Sequence, residues 1–447
     1  MSQDNDRPRM PESHAGRALH WLLGQIRVAG AGVVPSDRDR FVPSVSRSQG
    51  EGELRKLFKS LAARIGSFEV ESIEPQSEST LSAVLHSPND KRWRFVCQLE
   101  DTKPHRISKW DWERVLDFEV VVREAVTEDG PALAEIERSC PLVLGGHSVI
   151  IDRGDDYFAF ARLMEDVTVS FGLIDGEPAG INCGAVRTAR IDGIDQRIMV
   201  AIHTRILPEH QRKGLWSALS RLLGEKYSRE RGIAGSCGYG SVDNAAIQRG
   251  FAHVPEKWDP GPVRVQMDCA AGPAPDIGRI ATRDDAPRIV EILNACHGNE
   301  EMYTPYTVES FTARLERAPA QYSFKHVRLG DNAVVGVWSA GESIRVVTER
   351  DGDRSESRRG IVLDYGFVPV QSGAGESELM ALLSGWRRRL ATSGMDTLSI
   401  LTSAASPGYR TICQLARDTE AFYAWTPGIA VPERLAEAGL YVDAIYF

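Results

Sequence analysis

The chain has no closely spaced cysteines. Its seven, Cys97, Cys140, Cys183, Cys237, Cys269, Cys296 and Cys413, are odd in number and form no Cys-x-x-Cys pair, which excludes the common zinc and dithiol signatures. They read as reduced thiols, and no metal is expected. Lysine is scarce, 9 against 44 arginines, a bias that carries no functional reading. A surplus of positive charge is also missing. The formal net charge of -9 disfavours wholesale attraction to nucleic acid. Long apolar runs are lacking too: the stretch from Ala18 to Val34 is interrupted by Gln25 and Arg27, and Asp4 and Asp6 precede it, which fits neither a signal segment nor a membrane span. A cytoplasmic protein with no membrane partner is expected.

What is present is a globular composition, 42% hydrophobic and 26% charged, over 447 residues, more than one hydrophobic core usually organises. Residues 1–50 read as a mostly disordered arm with one short helix from Ala15 to Val28. In residues 51–116, Leu54, Leu57, Phe58, Leu61 and Ile65 recur at helical spacing, and period-two segments follow at 68–73, 80–86, 92–99 and 105–114. That is a helix followed by a β-meander, with Trp93, Trp110 and Trp112 as packing residues. A curved sheet bearing tryptophans is similar to cystatin-like and NTF2-like folds, which can instead cradle a substrate.

Residues 117–269 change pattern. Strand 118–124, helices 128–138 and 155–164, and strands 167–174, 178–188 and 196–207 are predicted, with Asp175-Gly176 and Asp192-Gly193 as hairpin turns. A loop at 208–214 feeds a helix from Leu215 to about Arg231, and a strand ending at Val242 follows. After a Gly/Pro-rich linker, 270–276, the pattern begins again in 277–447. Ile280 to Pro287 echoes Val122 to Pro131 as a strand end entering a capped helix. Strands are predicted at 333–338, 343–348, 360–368, 397–402 and 440–447, and a helix at 376–391.

The loop His210-Gln211-Arg212-Lys213-Gly214-Leu215-Trp216 carries the chemistry. A tight turn entering a helix aims consecutive backbone N–H groups at a phosphate, the helix N-terminus adds a favourable dipole, and Arg212 and Lys213 add positive charge. Gly214 lets backbone approach a diphosphate closely.

These residues resemble the GNAT family, whose phosphate loop reads Arg/Gln-x-x-Gly-x-Gly/Ala after a strand. Gln211, Gly214 and Trp216 occupy the three motif positions, with an indole in place of the small residue at the third. The string Arg-Lys-Gly-Leu-Trp is also similar to tandem-GNAT Eis-type acetyltransferases, in which a bulky residue follows the Gly-Leu pair. The resemblance implies an α+β fold with two tandem GNAT-like domains after the small helix-plus-meander domain. It implies an acyl-CoA, acetyl-CoA in the simplest case, held by the backbone at Arg205 and Ile206, by Gln211, Arg212, Lys213, Gly214, Leu215 and Trp216, and by Asn244. It also implies an N-acyltransferase acting on a small-molecule amine, an antibiotic-like or specialised metabolite.

The family's general-acid tyrosine is absent from the short segment between Asn244 and Phe251. His203 is the candidate base, its unperturbed pKa near ~6.5 suiting proton removal near neutrality. Tyr239 is the candidate acid for the leaving thiolate; against both stand ordinary packing roles, and Asn244 has an equal claim as a helix cap. Asp243 and Glu177 are secondary candidates for attracting the amine. The second copy's loop, Pro369 to Glu376, lacks the Arg/Lys pair and places Glu376 where a diphosphate would sit, so that copy is expected to wall the acceptor cleft, with Trp338, Trp386, Tyr409 and Trp425 packing it. Arg387-Arg388-Arg389 reads as a solvated helix face, and the terminal carboxylate of Phe447 as a lesser candidate base. Two other functions stay open: aminoacyl transfer from a charged tRNA, and non-catalytic acyl-CoA binding. Oligomeric state is not legible.

Overall fold

The computed structural model describes residues 8–30, 40–42, 51–88, 91–115, 118–228, 232–252, 254, 256–259, 261–272, 278–369 and 372–446. The chain divides into two compact units, Met1–Glu119 and Val120–Phe447.

In the first unit, helices α1 (His14–Gly30) and α2 (Glu51–Ile65) cover an antiparallel meander, β1 (Glu69–Pro75), β2 (Thr80–Ser87), β3 (Lys91–Leu99) and β4 (Ile107–Val115), in the order β1-β2-β3-β4. Leu19, Leu22 and Ile26 of α1 and Phe58 and Leu61 of α2 are buried against Leu85 and Phe95 of the sheet. The helix expected as part of an arm is therefore a core element of this unit. Trp110 and Trp112 pack on one another at 5.4 Å, and Trp110 on Phe58 at 5.3 Å.

The second unit starts with β5 (Val120–Glu124) and α3 (Gly130–Ser139), then the short hairpin β6 (Leu142–Leu144) and β7 (His147–Asp152). The long strands β8 (Asp166–Ile174), β9 (Glu177–Ile191) and β10 (Ile194–Ile206) follow, then α4 (Leu215–Ser228) and β11 (Ile233–Ser241). After them come α5 (Ala245–Gly250), β12 (Lys257–Trp258) and β13 (Pro262–Asp268). A second, related run of elements follows. β14 (Arg279–Ile280), α6 (Ala286–His297), α7 (Val308–Arg317), β15 (Val327–Leu329), β16 (Ala333–Trp338), β17 (Arg345–Arg350) and β18 (Asp353–Phe367) lead to α8 (Ala374–Thr392). β19 (Thr397–Ser403), α9 (Tyr409–Cys413), β20 (Asp418–Trp425) and α10 (Leu435–Ala438) complete it.

Two parallel pairs, β10·β11 and β18·β19, occupy matching places in the two halves of a sheet ordered β14-β15-β16-β18-β19-β13-β20-β11-β10-β9-β8-β5. The last strands cross over: β13 pairs with β19, and β20 with β11, so each half is closed by a strand from the other. The entry to each first helix is built alike. Arg123 pairs with Asp129, which accepts the Val126 N–H at 2.7 Å; Arg279 pairs with Asp285, which accepts the Thr282 N–H at 2.8 Å. Pro131 and Pro287 stand in the first turn of α3 and α6, where a missing N–H costs nothing.

Two expectations are corrected, and one element is added. Residues 155–164 are two 3₁₀ turns, Tyr157–Ala159 and Ala161–Leu163, which spend their apolar residues burying Tyr157, Phe160 and Leu163 rather than extending a helix face. The hairpin β6–β7, in a stretch with no predicted element, turns on Gly145 and Gly146, both at positive φ. The closing strand is an isolated bridge from Leu440 to Glu301 followed by a 3₁₀ turn, Ala444–Tyr446. Phe447, Val370 and Gln371 lie outside the described residues, as does most of the 270–276 linker.

Candidate active site

Strand β10 is long and carries a bulge. Its register with β9 runs Ile202↔Cys183 and then Arg205↔Ile181, so His203 and Thr204 together face Asn182. His203 takes φ 53°, a left-handed conformation uncommon for a side-chain-bearing residue, and Thr204 Oγ1 donates to Asn182 Oδ1 at 2.8 Å. Pairing of β10 with β11 stops at Ala201↔Gly238. Beyond it the two strands part, β11 pairing with β20 from Gly238↔Trp425 to Ser241↔Phe422. Arg205 and Ile206 lie on the part of β10 that β11 has left.

The strand delivers the loop. Pro208–His210 forms one 3₁₀ turn, Gln211 is extended, Arg212 takes φ 63° and Gly214 φ 87°, and α4 starts at Leu215. The first N–H groups of any helix lack intrahelical acceptors, and these follow a loop with two cationic side chains. A Cβ built on Gly214 would point into open space, so the glycine serves its backbone conformation and leaves room above the turn. Gln211 Nε2 donates to Ile206 O at 3.4 Å, and Lys213 Nζ lies 3.3 Å from His210 Nδ1.

What fixes the loop is the seating of α4. Leu215, Leu219, Leu223 and Tyr227 are buried, and the strands beneath present Gly172, Gly180 and Gly184. A Cβ at Gly172 would stand 2.6 Å from Leu215 Cδ1, so the helix start approaches the sheet as closely as glycine permits. Tyr227 Oη locks the far end, donating to Gly184 O at 2.8 Å.

Trp216 is 44% exposed and meets Phe251 edge-on at 6.5 Å, Phe251 in turn stacking on Trp425 at 5.2 Å. Asn244 caps α5, its Oδ1 accepting from Ala246 N and Ile247 N at 3.1 Å each. Trp425, expected as a packing residue, is at once a partner of this cluster and part of the crossed-over β20.

His203 sits at a buried charge pair that the sequence did not reveal. Arg153 Nε donates to Glu137 at 2.5 Å, with side-chain exposures of 3% and 0%, and the same guanidinium reaches the His203 ring nitrogens at 2.9 and 3.1 Å. Arginine only donates, so the bonded nitrogen presents a lone pair and the ring is neutral. Burial, then Arg153 and Arg205, hold the His203 pKa well below 6.5. Tyr239 has a different neighbourhood, Cys237, Arg187 and Asp443, and burial, then Cys237, keeps its phenol well above 10. Asp243 lines an open polar groove together with Arg264, Arg359 and Glu420. Adjoining that groove is an apolar cavity of about 120 Å³ that reaches His203, walled by Phe160 and Leu163 on one side and by Trp338 and Leu401 on the other.

The second half's parallel pair is occupied. Leu440 N–H donates to Ser403 Oγ at the end of β19, and Asp443 is bound by Arg314, which also holds Asp364 of β18. Gly373 takes φ 69° before α8, and Glu376 in its first turn accepts from Thr411 Oγ1 at 2.8 Å. Among the described residues no group of three or more His, Cys, Asp or Glu is placed to hold a metal ion, and no helix is long and apolar enough to cross a membrane.

No protein-family model matches the chain, and no curated protein matches it. Solved structures do. N-myristoyltransferase from Saccharomyces cerevisiae with bound myristoyl-CoA and inhibitors is similar over 77% of this chain and 87% of its own, at 10% identity and a TM-score of 0.53. The same enzyme with bound myristoyl-CoA is similar over 75% and 86%, at 10% identity and a TM-score of 0.51. A GCN5-related N-acetyltransferase from Sphaerobacter thermophilus is similar over 70% and 98%, at 16% identity; its TM-score of 0.40 is too low to carry weight. At these identities the likeness is one of fold, which is GNAT-like: α+β, with a large, mostly antiparallel sheet and flanking helices.

Proposed function

We propose that this GNAT-like chain is an N-acyltransferase that moves an acyl group, acetyl in the simplest case, from acyl-CoA to the amine of a small acceptor by direct attack in a ternary complex. The observation that carries the proposal is the turn at Arg212 to Gly214. Two left-handed residues in a cationic loop open directly into α4, after a strand that has just parted from its parallel neighbour.

In this reading the diphosphate lies on the N–H groups of the loop and the start of α4, Arg212 and Lys213 supply positive charge, and the pantetheine amides pair with the backbone at Arg205 and Ile206. Gln211, Leu215 and Trp216 shape the loop, and Asn244 sets the start of α5 on the facing strand. The thioester then lies beside the bulge. The amine nitrogen attacks the carbonyl carbon, the C–S bond breaks, and the proton lost by the amine ends on the CoA thiol.

His203 and Tyr239 are the proposed proton carriers. A neutral His203 can accept a proton, but its imidazolium would face Arg153, which favours brief transfer over storage. Tyr239 stays protonated throughout the physiological range, so its proton is present for the leaving thiolate, held by a weaker acid than a free phenol. The decisive assay is thiol release from acetyl-CoA with a panel of amines. Turnover that Arg212→Glu with Lys213→Glu abolishes is expected, and turnover only with aminoacyl-tRNA would replace the donor. His203→Ala should lower the rate and alter the pH profile; unchanged values remove it from the chemistry.

A further inference from the structure

The cavity beside His203 is apolar on most sides, with Ile344, Val346, Ile361, Ile400 and Leu401 in its wall. Its end toward the open groove is different. Three adjacent strands place Arg264, Arg359 and Ser399 there on one face of the sheet, as the pairs Ile361↔Ser399 and Gln266↔Ser399 show, Arg359 and Arg264 lying two residues from Ile361 and Gln266. Arg264 Nε, Arg359 Nε and Ser399 Oγ are all buried without a hydrogen-bond partner.

The arginines at that end are not all paired. Arg264 is paired with Glu420, and Arg417 with Asp268. The Arg359 side chain makes no hydrogen bond or ion pair among the described residues. Burial, then Arg264, lowers its pKa while Glu420 pulls it back only in part, the signature of a cation lacking a counter-charge. Orphaned buried donors around one uncompensated guanidinium are costly unless an acceptor arrives. The Arg359 guanidinium itself has no carboxylate partner, and a guanidinium fork matches the two oxygens of a carboxylate.

We propose that this cavity takes a substrate with an apolar body and one carboxylate, held by Arg359 through paired N–H···O bonds with Ser399 Oγ as a further donor. The apolar body then points toward His203 and the bulge of β10. That the site serves acyl transfer rests on the function proposed above; that it binds a carboxylate does not. The carboxylate belongs either to the amine acceptor, as in an amino acid or peptide end, or to the far end of a dicarboxylic acyl group.

The test uses the full chain and 19F NMR with two probes, 3-(4-fluorophenyl)propanoate and the matching alcohol, 3-(4-fluorophenyl)propan-1-ol. The wild type should bind the carboxylate about tenfold more tightly than the alcohol, as expected for charge-assisted bonds in a partly desolvated site. Arg359→Met should bring the two to parity while leaving the alcohol unchanged, and Arg359→Lys should restore part of the preference. Gly214→Glu should bind both probes as the wild type does, which separates this proposal from the CoA assignment. Equal binding of the probes by the wild type, no binding of either, or an undiminished preference in Arg359→Met overturns the proposal. In turnover, a raised KM for the acceptor alone in Arg359→Met assigns the carboxylate to the acceptor; lost discrimination between ω-carboxyacyl-CoA and acyl-CoA assigns it to the donor.

Discussion

The two halves of the second unit build the same parallel strand pair and enter the following helix through a left-handed glycine, Gly214 in one and Gly373 in the other. They differ in what surrounds that turn. Both turns follow a bulged strand, β10 at His203 and Thr204 and β18 at Leu363, but in the first half the turn carries Arg212 and Lys213. In the second, Glu376 sits in the first helical turn, hydrogen-bonded to Thr411, and the tail from Leu440 to Tyr446 is tied to Ser403 and, through Arg314, to Asp364. The two turns therefore share a backbone and differ in charge. In the function proposed above, charge at the helix start is what separates the two turns.

The largest effects should come from the buried charges beside each pair. Arg153→Met strands Glu137, and Arg314→Met strands Asp364 and Asp443; each is expected to lower stability in urea by about 3–5 kcal/mol. Only the first should also disturb probe binding in the cavity, because only Arg153 lines it. Equal loss of probe binding in both variants at matched folded fraction would erase the distinction.

Next come the two helices. Leu219 of α4 and Leu383 of α8 are both fully buried, so Leu219→Ala and Leu383→Ala should each cost about 2–5 kcal/mol. CoA affinity at a temperature where both remain folded should fall for Leu219→Ala alone, since α4 seats the loop proposed to hold the diphosphate. A matching fall in Leu383→Ala would show that the second helix holds a CoA site too.

Much of this second unit is legible in the sequence. The strands, the Asp-Gly turns and the loop are local signals, and Asp175 and Asp192 adopt the positive φ that such turns require. The crossing of β13 and β20 is not legible. Both segments alternate, Val263, Val265 and Met267 in one, but each pairs with the half to which it does not belong in sequence, and alternation carries no partner. The turn at Gly145-Gly146 was a readable hairpin signal. The environment of His203 was not: Glu137 and Arg153 come from α3 and the segment after β7, and only folding brings them to β10. The role of Asn244 as a cap was one of the two readings its position allowed.

Smaller and opposite in sign are the pH effects of two buried histidines. His203, with a pKa held below its ordinary value by burial, Arg153 and Arg205, contributes stability that is present above 6.5 and is lost as pH falls through its folded value. His297 behaves in reverse. Burial opposes its charge, but Cys296 and Glu300 outweigh it and raise the pKa well above 6.5, so its contribution is full below 6.5 and is lost as pH rises through the folded value. Urea titrations should show that His203→Gln flattens the acid side and His297→Gln the alkaline side; the same change in both variants would contradict these environments.

The central claim, one CoA-type diphosphate site placed in the first half, is tested most directly by calorimetry with CoA on the full chain. The account predicts one site per chain, abolished by Gly214→Glu and untouched by Gly373→Glu. Two sites, or binding that survives Gly214→Glu, would contradict it.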